Sequence, residues 1–168
     1  HKEAAATNLL GLHKATEQGE KYQIYYFNLA AGIDQYFAGD YKMASDYIEK
    51  ALPTLENLND FDVVQKAYYY LGRAHLDSGD KQNALQNFGR VDSLFVKNGF
   101  LNPQARGSYE WLIDYYRESD DKDKQLYYIN QLLSADQINA NNLQGLAYTL
   151  KTEYDTKRLE EAKSRLER

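Results

Sequence analysis

Three observations predict an all-helical chain assembled from repeated antiparallel helix hairpins. The chain matches itself at an offset of 40: Gly32 with Gly72, Gly39-Asp40 with Gly79-Asp80, Ala44 with Ala84, and Ile48, Ala51 and Leu55 with Phe88, Val91 and Phe95. Apolar residues recur at helical spacing, while no run of strict alternation bounded by turn residues occurs, so no strands are expected. The composition is that of one domain. In 168 residues, 43% are hydrophobic and 27% charged, with ten glycines, two prolines and no cysteine. A chain of this length buries roughly 70% of its unfolded surface, enough for a core without disulfide or metal staples.

In chain order, residues 2–20 read as a leading helix and 22–58 as the first hairpin. Gly32 marks a close helix–helix approach, and Gly39-Asp40 closes one helix and caps the next. The second hairpin, 61–98, carries Ala67, Tyr68, Leu71, Ala74 and His75 on its first helix. Its second helix places Ala84, Leu85, Phe88, Val91, Leu94 and Phe95 inward and leaves Lys81, Gln82, Gln86 and Arg90 outward. A third unit, 102–136, starts at Asn102-Pro103, with asparagine at the cap and proline at the first helical position. It turns at Ser119-Asp120-Asp121 and continues from about Lys122 through Leu126, Ile129, Leu132 and Leu133, with Tyr127 and Tyr128 alongside. Residues 140–168 read as terminal helices. Asp155-Thr156 is expected to cap the last of them, with Leu159, Ala162 and Leu166 on one face and Glu161 paired with Arg165. That segment reads as a lid on the final repeat or as the start of a stalk. The opening His1-Lys2-Glu3-Ala4 has no signal-peptide core, and the chain reads as a piece of something longer.

Chemistry is scarce. Without cysteine there is no thiolate metal site and no thiol nucleophile. His1, His13 and His75 have no partner at metal-ligand spacing, and His75 reads as a core imidazole. Ser108 lacks the context of a nucleophile elbow. Asp120, Asp121 and Asp123, like Asp60 and Asp62, superficially suggest a calcium loop, but the required sixth-position glycine is Leu126 counted from Asp121 and Gln65 counted from Asp60. They read as helix caps instead. No catalytic residue, metal or cofactor is expected. A net charge of -5 without a basic cluster argues against binding nucleic acid directly, and no stretch has the roughly 20 apolar residues of a membrane span.

The repeated residues resemble the tetratricopeptide repeat family, most closely over 65–98. There Tyr68, Leu71, Gly72, Gly79, Asp80, Ala84 and Phe88 fall at the family's aromatic, leucine, small, turn, alanine and aromatic positions. His75 replaces the usual tyrosine and Val91 the usual alanine. Residues 25–58 match at Gly32, Ala44, Ala51 and the turn but lack the early aromatic, and 106–135 lose the small residue at Ile113 and the alanine at Gln125. The spacing of 40 exceeds the roughly 34 residues of a regular unit. The resemblance implies a right-handed superhelix of three to four irregular repeats plus a terminal helix. Segments 91–116, 124–136 and 152–163 further resemble the sensor regions of membrane-tethered AraC-type transcriptional regulators of the Bacteroidetes. That resemblance implies a membrane helix and a DNA-reading module beyond Arg168, and a periplasmic location for this region; without it, a cytoplasmic one is expected.

The repeat family lines its concave surface with the first helix of each unit, which on this register implies a groove of Leu29, Ile33 and Tyr36, then Lys66, Tyr69 and Arg73, then Glu110, Asp114 and Arg117. Such a surface suits a peptide or protein segment, with Arg73 or Arg117 meeting a carboxylate. The same residues equally suit solvated helix faces with internal ion pairs. The basic-asparagine clamp of chaperone-binding repeats is not reproduced. Sixteen tyrosines include the runs Tyr25-Tyr26 and Tyr68-Tyr69-Tyr70, and because helical neighbours diverge by about 100°, some rings must face a groove or the next repeat. The expectation is a non-catalytic interaction module, or alternatively a structural spacer or oligomerisation domain that forms a homodimer.

Overall fold

In the computed structural model, backbone is described for residues 2–19 and 21–166, and side chains for 5–19 and 23–146. Among the described residues the fold is all-helical: helices joined by short turns, without strands. The helices are α1 (Lys2–Gln18), α2 (Lys21–Ala38), α3 (Tyr41–Asn57), α4 (Phe61–Asp77), α5 (Lys81–Asn98), a 3-10 turn (Pro103–Arg106), α6 (Gly107–Glu118) and α7 (Lys122–Leu166). Each helix packs on the next, and α2 also meets α4, as α4 meets α6.

The turns show why the chain folds back so regularly. Gly39, Asn59, Gly79 and Asp120 take left-handed backbone angles, with φ of 83°, 54°, 92° and 54°. Each is followed by an aspartate, and Asp40, Asp60, Asp80 and Asp121 accept hydrogen bonds from the N–H groups of Met43, Val63, Asn83 and Lys124. At three of these turns the aspartate N–H also reaches back to a carbonyl of the outgoing helix, Gln35, His75 or Tyr116. One residue thus stops a helix while its neighbour starts the next. The aspartates once suggestive of calcium serve as caps at Asp60 and Asp121.

Within hairpins, a glycine on one helix receives a large side chain 16 residues later. A Cβ on Gly11 would lie 2.4 Å from the Phe27 ring, one on Gly32 2.6 Å from Ile48, and one on Gly72 2.6 Å from the Phe88 ring. The core is serial. Leu29, Ile48, Leu52, Leu55, Val64 and Leu71 join α2, α3 and α4, whereas Val91, Phe95, Leu101, Tyr109 and Leu132 join α5 to α7. Between these groups Ala84, Phe88 and Leu112 form a bridge against which Tyr69 packs. Rings also form an unbroken chain of contacts through Tyr41, Tyr36, Tyr70, Tyr69, Phe88, Trp111, Tyr115, Tyr116, Tyr128, Tyr109 and Phe95. The contiguous tyrosines therefore divide between cores and neighbouring hairpins.

The third unit differs from expectation. Asn102 does cap its start, accepting from the Gln104 N–H at 2.7 Å, but Pro103 opens a 3-10 turn before α6. Of the stripe on α7, Leu132 is buried and Ile129 half-buried, while Leu126 and Leu133 are exposed at 58% and 63%. The separate terminal helices are corrected: α7 runs unbroken from Lys122 to Leu166, with Asp155 and Thr156 in its interior rather than at a cap. No glycine or proline interrupts residues 122–144, and the helix passes through Gly145. The expected contacts of Leu159, Glu161, Ala162, Arg165 and Leu166 lie outside the described side chains. Among the described residues no helix is long and apolar enough to cross a membrane.

Candidate functional site

Two adjoining hollows follow the face formed by α2, α4 and the linker before α6. The first, about 170 Å³, lies between α2 and α4 and is lined by Tyr26, Leu29, Ala30, Ile33, Val63 and Lys66. The second, about 550 Å³, is bounded by Asp62, Val63, Lys66, Phe100, Asn102, Pro103 and Gln104. Val63 and Lys66 belong to both, so the hollows form one trough. The helical period produces it: Tyr26, Ala30 and Ile33 follow one stripe of α2, and Val63 and Lys66 follow the facing stripe of α4.

The linker wall is held from α4. Gln65 is fully buried. Its Nε2 donates to the Phe100 carbonyl at 2.8 Å, and its Oε1 accepts from the Asn102 N–H at 2.8 Å. Asn102 Nδ2 donates in turn to the Asp62 carboxylate at 2.8 Å. A buried amide that satisfies both its own polar ends and two linker backbone groups fixes the path of residues 100–102. On the opposite side, the Tyr26 hydroxyl donates to Asp60 at 3.1 Å, and burial, followed by that carboxylate, pushes its pKa up, so the phenol stays neutral.

The nine residues expected in the groove separate into three groups. Leu29, Ile33 and Lys66 come together in the trough, with Leu29 contributing only the edge of a side chain otherwise buried in the core. The Lys66 side chain makes no hydrogen bond, ion pair or ring contact among the described residues. Tyr36, Tyr69 and Arg73 are engaged within the chain instead. Arg73 lies over the Tyr36 ring at 5.7 Å, donates to Asp77 at 3.3 Å and approaches the Tyr69 hydroxyl at 3.5 Å. Tyr36 donates to the same Asp77 at 2.8 Å, and Tyr69 packs against Phe88 and close to Gly107. Hydrogen bonding and ring packing within the chain already use their ends. Glu110, Asp114 and Arg117 lie exposed on α6 in local pairs, Glu110 with Arg106 and Asp114 with Arg117 at 2.9 Å. For these three the geometry is that of a solvated helix face.

Sequence reasoning missed Tyr26, Val63 and the linker wall. Tyr26 lay within a run recognised as partly outward, and Val63 sits one turn before Lys66, so both were within reach of a helical-wheel argument. The linker residues were not, since Asn102-Pro103 signals a helix start rather than a wall. Among the described residues no group of three or more His, Asp or Glu side chains is arranged to hold a metal. No protein-family model matches the chain, and neither does any curated protein.

Proposed function

We propose that the chain is a non-catalytic interaction module, an irregular tetratricopeptide-like array that takes up a peptide or protein segment along the α2, α4 and linker trough. We place it in the sensor or scaffold region of a bacterial signalling regulator, on the strength of the sequence resemblance. The observation that carries the binding reading is Lys66, a cation whose side chain has no partner among the described residues, at the junction of an apolar hollow and a mixed one that Asp62, Asn102 and Gln104 also line. Apolar area supplies affinity and charged side chains at its edge fix register, the arrangement by which helical grooves capture segments. Helices that each touch few neighbours also allow an occupant to favour one curvature over another.

The test is selection of peptides from a phage-displayed random library on the 168-residue chain, followed by anisotropy titration of a selected peptide. Ile33→Glu and Lys66→Glu are expected to weaken it at least about tenfold, roughly 1.4 kcal/mol, with Arg117→Glu near neutral. Failure to select any recurrent peptide, or binding indifferent to Ile33 and Lys66, would overturn this assignment.

A further inference from the structure

The spacing of aromatic residues on α6 and α7 sets rings in series toward a buried acid. Trp111 and Tyr115, one helical turn apart on α6, stack at 5.0 Å between centroids and 25° between planes. Tyr115 meets Tyr116 at 5.1 Å, and Tyr116 stacks on Tyr128 of α7 at 5.5 Å and 9°. Tyr128 then touches Tyr109 at 6.1 Å and Tyr127 at 5.0 Å. Those last two phenols end on one group: the Asp92 carboxylate accepts from Tyr109 at 2.8 Å and from Tyr127 at 3.0 Å. Asp92 is the one buried carboxylate among the described residues, and it makes no ion pair there. Tyr109 is sealed beside it at 0% exposure, whereas Tyr127 is 41% exposed. Burial, and then Asp92, push the Tyr109 phenol far up, so it keeps its proton until an electron leaves.

We propose that this series relays a one-electron oxidation from Trp111 to Tyr109, with Asp92 as the proton acceptor at its end. An indole loses an electron without first losing a proton, so the half-buried Trp111 is the point of entry for a one-electron oxidant. A phenol sheds its proton as it is oxidised. Tyr115, Tyr116 and Tyr128 are each half-buried and exchange that proton with solvent as the electron vacancy passes. Tyr109 is closed to solvent, and Asp92 lies at hydrogen-bond distance to take its proton. The oxidant gains one electron, the Tyr109 Oη–H bond breaks, an O–H bond forms on Asp92, and Trp111 returns to its starting state. A neutral phenoxyl and a neutral carboxyl remain. Electrostatics sets the direction, because an unpaired buried anion attracts the positive vacancy and is itself relieved of its charge. Burial then shields the phenoxyl from dissolved reductants and from other radicals. Phe88, 5.2 Å from Trp111, has no hydroxyl and is far harder to oxidise, so Tyr69 and Tyr70 on its other side lie off the path.

Flash oxidation tests this. Because the chain has no native cysteine, Glu118→Cys gives a single thiol, on the exposed end of α6 and one turn past Tyr115, to carry a ruthenium polypyridyl complex. A laser flash with a cobalt(III) ammine complex as electron acceptor turns that label into the one-electron oxidant. Transient absorption is expected to show an indole radical giving way to a long-lived phenoxyl radical. Tyr109→Phe is expected to shorten the phenoxyl lifetime at least about tenfold, leaving only the exposed Tyr127 beside Asp92. Asp92→Asn keeps an oxygen that accepts the hydrogen bond but takes up no proton, and with helical circular dichroism retained it is expected to shorten the lifetime equally. The Tyr128 hydroxyl has no partner among the described residues, so Tyr128→Phe keeps the packing and is expected to delay the arrival of the phenoxyl. Tyr70→Phe is expected to change neither lifetime nor arrival. A phenoxyl that persists in Tyr109→Phe or in folded Asp92→Asn, or whose arrival is indifferent to Tyr128, would overturn the proposal.

Discussion

Gly72 and Gly89 are one residue type in two helices with opposite prospects. Alanine at Gly72 would push a methyl group to 2.6 Å from the Phe88 ring, whereas nothing lies within 4 Å of a Cβ at Gly89. Gly72→Ala should destabilise the fold by about 1–3 kcal/mol through overpacking, and Gly89→Ala should stabilise it by about 0.5–1 kcal/mol through helix propensity and a less flexible unfolded chain. Urea unfolding midpoints measure both, and equal signs would contradict the packing described. The self-match at 40 identified Gly72 and Gly32 as contact positions. It did not identify Gly11, whose partner Phe27 lies in the leading pair, outside the repeat that revealed the others. Gln65 was equally hidden, since an amide on a helix signals nothing until a distant linker lies across it. Asp92 belongs with it: buried, it accepts from the Tyr109 and Tyr127 hydroxyls at 2.8 and 3.0 Å, a contact between three residues that no short spacing encodes.

At the level of elements, the third hairpin lacks the glycine socket and uses charge in its place. Arg106 Nε and Nη2 donate to both oxygens of Asp136 at 3.0 and 2.8 Å, fastening the turn before α6 to the first third of α7. These bonds to Arg106 hold the Asp136 carboxyl below the usual carboxylate range. A carboxylate so depressed stabilises the fold above its unfolded pKa of about 3.9, and that contribution disappears as pH falls through the folded value. On acidification below about pH 4, the fluorescence of Trp111, the only tryptophan, should report loosening of this hairpin, and Asp136→Asn should remove that step while lowering stability at neutral pH. An unchanged acid profile in the variant would show that the pair does not fasten the hairpin. The helix boundaries before this point were legible because a left-handed residue and a capping aspartate are written together at each turn. Past Asp121 the same vocabulary misleads. Asp155-Thr156 has cap chemistry, but these residues cost a helix interior only about 0.5 kcal/mol, too little to end a helix whose flanks favour continuation.

For the molecule as a whole, the succession of rings makes tyrosine a structural material. Burial first, and then neighbouring carboxylates, push the Tyr36 and Tyr109 phenols well up, and burial with the Glu56 hydrogen bond raises Tyr68 to about 12. A raised folded pKa contributes stability that is complete below the unfolded value of about 10 and is lost as pH climbs toward the folded one. Alkaline titration followed by tyrosinate absorbance should show exposed phenols ionising first. A second group should ionise only together with loss of helical circular dichroism. Ionisation of every tyrosine in one early step, with helicity retained, would contradict the burial described. Composition disclosed the abundance of tyrosine and the need for divided orientations. Which rings meet depends on how hairpins nest, and so became visible only in three dimensions.

The two hollows are not equally firm. One side of the first is α2, joined to α4 across that gap by hydroxyl-to-carboxylate bonds from Tyr26 and Tyr36 that are open to solvent. The far side of the second is clasped to α4 by the sealed Gln65 amide. A guest segment therefore meets a vice with one jaw that yields and one that does not. Variation in the guest's bulk is absorbed near Tyr26, while its backbone course is dictated at Phe100 and Asn102.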